Sequence, residues 1–274
     1  MRRKLEVWFI AAVVLATIGA GAGCNKLRAR DDLNKGVDAY KNAQFDVAIE
    51  DFKNAQQLDP TLTSAKLYLA AAYQNQYVPG APSDANLRNA QSAIDVYKQI
   101  LQGDPKNLSA IDGIGSLLYS MGTTPFDPGK LQDSKAYHEK HIQISPNDPE
   151  PYYWVGVIDW SLVYRGNLDM RQDYNRSASP KRQIKENDPL PEKLRMQFTD
   201  KYGSLIDEAV TNLQKAISLK PDYDDAMAYL NLMYRQKADT ESTQEAREAD
   251  LKQADQLVEQ VKAIKQKKAG VQPS

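Results

Sequence analysis

The sequence predicts an all-α protein built from short helical hairpins that stack side by side. The first hairpin covers residues 36–60, where apolar and small residues recur at steps of three and four on both sides of a gap at residues 42–44. A lone helix of this length is marginal in water and is stabilised by packing its apolar face. Each hairpin therefore needs a neighbour of the same kind, and the sequence should contain repeats.

The second helix of this hairpin recurs along the chain, each time closed by a proline. Every copy begins with Ala or Ser and carries larger side chains at helical spacing; the closing residues are Pro60, Pro105, Pro146 and Pro221. Another helical run precedes each copy, and residues 222–235 open a further unit. About five helix pairs are therefore expected.

This pattern resembles the tetratricopeptide repeat (TPR), a helix-turn-helix unit of about 34 residues with small residues where its helices touch and a proline after the second helix. The matching residues of the first unit are Gly36, Phe45, Ala48, Phe52, Ala55 and Pro60. Asp32 and Lys35 depart from the family, which usually has Trp and Leu there. The resemblance implies a right-handed α-solenoid whose first helices line a concave groove.

The prolines lie further apart than one repeat length, so the pairs after the first carry insertions between their helices. The predicted units are residues 31–62, 63–107, 108–148, 149–223 and 224–266, the last ending in a capping helix, with a tail at residues 267–274. The longest insertion covers residues 165–200. We expect its basic first half to be a loop, either solvated or in contact with an acidic partner or lipid head group. The second half should be helical.

The N-terminus has the pattern of a secretory signal over residues 1–23, with basic residues followed by an apolar run that ends in small residues. Cys24, the only cysteine, follows at once. This resembles the lipobox of bacterial lipoproteins, which implies lipidation of Cys24, a tether at residues 24–30 and, with Asn25 in a Gram-negative cell, the periplasmic face of the outer membrane. An uncleaved membrane anchor and simple secretion are the alternatives.

The helix predicted from Pro149 is apolar nearly all round, so it needs cover on more than one side. In the TPR family, four positions of each first helix line the groove. The residues that the resemblance assigns to a partner-binding groove are Tyr119, Glu150, Tyr153, Val157, Trp160 and Arg235. Tyr and Trp are frequent partner anchors. Alternatively, the long insertion folds back and covers these aromatic side chains as core.

His138 and His141 are the only candidates for chemistry, because they lie three residues apart on one helix. They could share a metal ion, but the spacing is not that of a zinc protease and both occupy packing positions of the repeat. We therefore expect no enzyme activity and no cofactor. A net charge of −1 gives no general attraction to nucleic acid, which is not an expected partner.

These observations predict a membrane-tethered TPR scaffold that binds a protein or peptide partner in the cell envelope. A role in envelope assembly is suggested only by analogy at the level of the fold. The alternative is a periplasmic carrier that holds a small ligand, such as a sugar, on Tyr153 and Trp160.

Overall fold

The computed structural model describes residues 23–270, and within that range the chain is helical with no strand. The helices are α1 (residues 23–41), α2 (Phe45–Leu58), α3 (Thr63–Gln76), α4 (Asp84–Gly103), α5 (Leu108–Thr123), α6 (Pro128–Ile144), α7 (Pro149–Ser177), α8 (Glu192–Leu219), α9 (Asp224–Lys237) and α10 (Gln244–Lys268), with a 3₁₀ turn at Pro180–Arg182. The all-α prediction is confirmed. The chain divides into two compact units, one ending at Leu117 and the other beginning at Leu118.

The first unit contains α1 to α4 and most of α5. The predicted gap between the first two helices is a tight turn, in which Ala43 adopts a left-handed φ of 57°. Gly36 allows α1 to approach α2 closely, because a Cβ at this position would lie 2.5 Å from Cε1 of Phe52. Consecutive helices from α2 to α4 pack against each other. The predicted tether, residues 24–30, is helical here, and Ala29 is buried.

The insertion predicted within the second repeat, which lies in the first compact unit, is the loop between α3 and α4. One buried side chain closes this loop. The Asn86 amide donates to the carbonyls of Val78 (2.8 Å) and Ala81 (2.9 Å) and accepts from the N–H of Val78 (2.7 Å). Ser83 caps α4 by accepting from the N–H of Asn86 (3.3 Å). The loop therefore owes its shape to the first turn of the helix that follows it.

The second unit contains the end of α5 and helices α6 to α10. Its two long helices, α7 and α8, pack side by side, with Gly156 facing Leu213. Helix α9 packs against both of them, and α10 packs against α9. The buried residues of this core include Val163, Phe198, Ile206, Leu213, Leu230 and Met233. Helix α10 buries Ala254 and Leu257 together with Asp250, whose carboxylate accepts from Lys237 (3.0 Å). Most of its other charged side chains are exposed, as a terminal helix requires.

The long insertion differs from the prediction in its first half. Residues 165–177 continue α7 as helix, and the loop occupies only residues 178–191. The predicted loop residue Arg171 is 4% exposed. It donates to the carbonyls of Lys185 (2.7 Å) and Asp188 (3.0 Å), so its buried guanidinium anchors the loop to the extended helix. The helical second half is confirmed as the start of α8.

Both chain ends carry predictions that the structure does not reach. Residues 1–22 of the predicted signal and residues 271–274 of the predicted tail lie outside the described residues. Cys24 is exposed on α1. Within residues 23–270, no helix combines the length and the apolar character needed to cross a bilayer.

Candidate functional site

A continuous row of aromatic side chains crosses the second unit from the end of α5, along α7, to α9. We call this set the aromatic row; its members are Tyr119, Trp154, Tyr153, Tyr229, Trp160 and Tyr164. Neighbouring ring centroids are 5.0 to 5.8 Å apart. Four of the five contacts are edge-to-face, and the last pair, Trp160 and Tyr164, is stacked at 10°. Both geometries are favourable for aromatic rings.

Helix α7 carries four residues of this row, and their direction follows from the N-terminal cap of the helix and from the helical period. The Asp148 side chain caps the helix by accepting from the N–H of Glu150 (3.0 Å), and Pro149 occupies the first helical position. The helical period then places Tyr153, Trp160 and Tyr164 on one face. The helix start predicted from the sequence is confirmed, and it determines the direction in which these rings point.

Glu150 is not a member of the row but holds two aromatic side chains in place through hydrogen bonds. Its carboxylate accepts hydrogen bonds from the Trp154 indole N–H (3.1 Å) and from the Tyr223 hydroxyl (3.0 Å). Burial raises the pKa of the Tyr223 hydroxyl, and the nearby Glu150 charge raises it further, so the hydroxyl remains a donor. Burial likewise raises the pKa of Tyr153. Glu150 thus holds two rings at one end of the row.

The other predicted groove residues differ in accessibility. Val157 is only 1% exposed, so its assignment to a partner-binding surface is corrected: it is a packing residue. The Tyr119 hydroxyl lies 3.5 Å from the Ser161 hydroxyl. Arg235 is exposed and donates to Asp255 (2.7 Å). The positions carried over from the repeat family describe one face, whereas α7 is covered from several sides.

The rings of the row are half-buried, which places them between the two alternatives of core and groove. Tyr153, Trp160 and Tyr229 pack against the apolar core of the second unit. The long insertion reaches the row at Tyr164, whose hydroxyl donates to Glu186 (3.1 Å). The row therefore has a base in the core and an edge toward solvent.

The two histidines occupy packing positions. His138 is 1% exposed and stacks on Trp154 with a centroid distance of 5.6 Å. Burial lowers the pKa of His138 to about 4, with a further contribution from His141. His141 lies 3.4 Å from the Asp148 carboxylate, measured from Nε2 to Oδ2. Among the described residues, no group of three or more His, Cys, Asp and Glu side chains is placed to hold a metal ion.

A set of ion pairs that involves the buried Asp159 of α7 was not identified from the sequence. The Lys135 ammonium lies 2.9 Å from Asp159 Oδ1 and 2.9 Å from Glu208 Oε2, which joins α6, α7 and α8. Asp159 is fully buried, and burial raises its pKa to about 7 despite the nearby lysine. The presence of Asp159 within the apolar run of α7 indicates a buried acid, but the sequence does not identify its partners because Lys135 and Glu208 are distant in the chain.

Sequence reasoning also missed Trp154, Tyr164 and Tyr229 as members of the row. Trp154 lies four residues after Glu150, a spacing that places two side chains on the same helical face, so this contact could have been found. Tyr229 lies on another repeat, and only the packing of α9 against α7 brings it to the row. Its role depended on tertiary structure.

Comparison with solved structures shows which fold this architecture belongs to. A crystal structure of MamA is 16% identical, with a TM-score of 0.54 over 90% of this chain and 97% of that chain. MamA from Desulfovibrio magneticus RS-1 is 14% identical, with a TM-score of 0.53 over 85% and 96%. TTC0263, a thermophilic TPR protein of Thermus thermophilus, is 14% identical, with a TM-score of 0.45 over 86% and 98%. No protein-family model and no curated protein matches the sequence.

Proposed function

The chain has the tetratricopeptide-repeat fold, an α-solenoid of helix pairs, and we propose that it is a scaffold that binds an extended segment of a partner protein across the aromatic row. The fold itself does not determine a function. The proposal therefore rests on the site, and the observation that carries it is the row of six half-buried rings on α5, α7 and α9.

The row has the chemistry of a protein-binding surface. Tyr and Trp bury a large area on binding and lose little side-chain entropy, and they dominate the centres of protein interfaces. Here each ring is already held by its neighbours, and Glu150 fixes Trp154 through a hydrogen bond. Because the rings are ordered before the partner arrives, binding pays less entropy for ordering them.

The same contacts argue against a sugar carrier centred on Tyr153. A sugar ring binds on an open aromatic face. Tyr153 already contacts Trp154, Tyr223 and Tyr229, with centroid distances of 5.4, 5.1 and 5.8 Å. With three rings packed around it, Tyr153 is not a free platform for a sugar, and this arrangement suits a protein surface better.

We place this scaffold in a bacterial cell envelope, tethered to a membrane at its N-terminus. The support is the signal-like pattern of residues 1–23 and the exposed cysteine directly after it. Metabolic labelling with a radioactive fatty acid should mark the native chain and leave Cys24→Ala unlabelled. Equal labelling of both chains, or labelling of neither, would contradict lipidation at this residue.

Photo-crosslinking followed by a binding measurement tests the function. A photoreactive phenylalanine analogue at Tyr119 should crosslink one partner in the native envelope. The purified partner should then bind Tyr153→Ala at least tenfold more weakly than the native chain, because an anchoring ring is lost. Met196→Ala, which removes an exposed apolar side chain of α8, is the control and should bind normally. If Tyr153→Ala binds the partner as tightly as Met196→Ala and the native chain do, the row is not the binding site.

A further inference from the structure

A cavity of about 270 Å³ lies at the Trp160 and Tyr164 end of the aromatic row. Its walls come from α7, α9, α10 and the loop before α8; the polar residues among them are Glu186, Asn187, Arg235, Gln236, Asp239 and Arg247. The volume is close to the lower end of the range of about 300–1,000 Å³ found for ligand pockets. The cavity therefore has room for a small molecule.

The carboxylates in the wall are already engaged by the protein. One oxygen of Glu186 accepts from the Tyr164 hydroxyl (3.1 Å). Asp239 Oδ2 accepts from the Asn167 amide (2.9 Å) and from the Arg171 guanidinium (2.6 Å). Since Arg171 neutralises Asp239 from behind the wall, this acid offers little attraction to a cation in the cavity.

Two donors in the wall have no acceptor within residues 23–270. They are Nε1 of Trp160 and Nε of Arg247, and both atoms are buried. Arg247 uses Nη2 to donate to the Asn187 carbonyl (3.1 Å), while the same atom is 3.8 Å from Asp239. Buried N–H groups almost always have a hydrogen-bond partner. Their common requirement is an acceptor, and Arg247 adds positive charge.

We propose that this cavity binds a small organic carboxylate, of about the size of a hexose acid, through Arg247 and Trp160. The planar guanidinium matches a carboxylate in shape and charge, and the indole N–H supplies a further donor. A neutral sugar would satisfy the donors but would leave Arg247 to share the single charge of Asp239 with Arg171, which lies closer to it. The site thus goes beyond binding of a protein segment and gives the second unit a ligand of its own.

Isothermal titration calorimetry of the purified full-length chain tests this site with two matched pairs of probes. Glucuronate is compared with glucose, and benzoate with benzamide, so that each acid has a neutral counterpart of similar shape. At least one acid should bind saturably with one site, and its neutral counterpart at least tenfold more weakly. Absence of saturable binding by both acids, or equal binding of an acid and its counterpart, would overturn the proposal.

Variants locate the binding. Arg247→Lys keeps the charge but removes the Nε donor, and it should weaken acid binding at least tenfold while leaving the helix content unchanged. Arg182→Lys alters an exposed arginine outside the cavity and should bind like the native chain. Tyr119→Ala, which removes a row residue outside the cavity, should also bind normally, so this site can fail independently of partner binding. Native affinity in Arg247→Lys would exclude the proposed geometry.

Discussion

The two units close their inter-helix loops in different ways. In the first unit, the loop between α3 and α4 is held by the neutral Asn86, which makes three hydrogen bonds to its backbone. In the second, the longer loop between α7 and α8 is held by a similar amide, Asn175, which bonds both backbone groups of Ile184 (2.8 and 2.9 Å). It is held in addition by the charged Arg171, which is itself paired with Asp239 at 2.6 Å. The short loop is fixed by one amide, whereas the longer one adds to its amide a buried ion pair whose acid, Asp239, lines the cavity.

The largest effect should come from breaking this ion pair. Arg171→Met leaves the buried Asp239 with only the more distant Arg247 guanidinium, at 3.8 Å, as a counter-charge. We expect the second unit to lose about 3–5 kcal/mol of stability. Urea unfolding followed by circular dichroism measures the loss. Arg176→Met, which removes an exposed ion pair on the same helix, should change the stability by less than about 0.5 kcal/mol.

A double variant separates the lost pair from simple loss of packing. Arg171→Met combined with Asp239→Leu removes both charges of the pair and should recover much of the stability, because no carboxylate stays buried without its partner. If the double variant is less stable than Arg171→Met by itself, the buried carboxylate is not the source of the loss.

The second unit should also respond to acid through His138. Its folded pKa of about 4 lies below the usual value of 6.5, so its contribution to stability is complete above pH 6.5 and is lost as the pH falls toward 4. The loss between pH 7.5 and pH 4 should be about 3 kcal/mol. Asp159 has the opposite sign, because its raised pKa makes the fold more stable as the pH falls through about 7.

Comparison with His138→Phe isolates the histidine from Asp159. Phenylalanine cannot titrate and keeps an aromatic ring against Trp154, so the stability difference between variant and native chain should shift by about 3 kcal/mol in favour of the variant from pH 7.5 to pH 4. Denaturant melts at several pH values give this difference. A constant difference across that interval would mean that His138 is not held neutral.

In the first unit, Asn86→Ala should have a smaller effect than Arg171→Met. The substitution leaves the N–H and C=O of Val78 and the C=O of Ala81 without their amide partner, at a cost of about 2 kcal/mol. Chemical denaturation monitors it, with Gln99→Ala as a control at an exposed position of the same helix. A loss as large as that of Arg171→Met would remove the distinction between neutral and charged closure.

The smallest effect concerns the start of α4. Ser83→Ala removes the oxygen that accepts from the N–H of Asn86 and should cost about 1 kcal/mol. Ser83→Asp retains an acceptor and should restore most of this stability in the same denaturation assay. If aspartate is no better than alanine, the cap does not support the loop.

The sequence was sufficient to predict the helix pairs, because their signals are local. The turn before Phe45, the cap and proline that start α7, and the helical second half of the long insertion all follow from neighbouring residues. Helical period and turn chemistry act over a few residues and can be recognised without tertiary structure.

The site was harder to predict because its residues are joined across the fold. Arg171 was assigned to a loop, since its partner Asp239 lies 68 residues further along the chain. Val157 was assigned to a groove by analogy with single repeats, but α7 is covered on additional sides by the long α8 and by α9. Charge and position in the repeat could not reveal which polar residue would be buried.

The two hydrogen bonds of Glu150 have a consequence for how substitutions at the surface are tolerated. This residue is exposed, and by accessibility it would be judged freely replaceable. Yet its carboxylate accepts a hydrogen bond from Tyr223 at the start of α9 and another from Trp154, which stacks on His138 of α6. A change at this single outward-facing position is therefore felt by three helices at once.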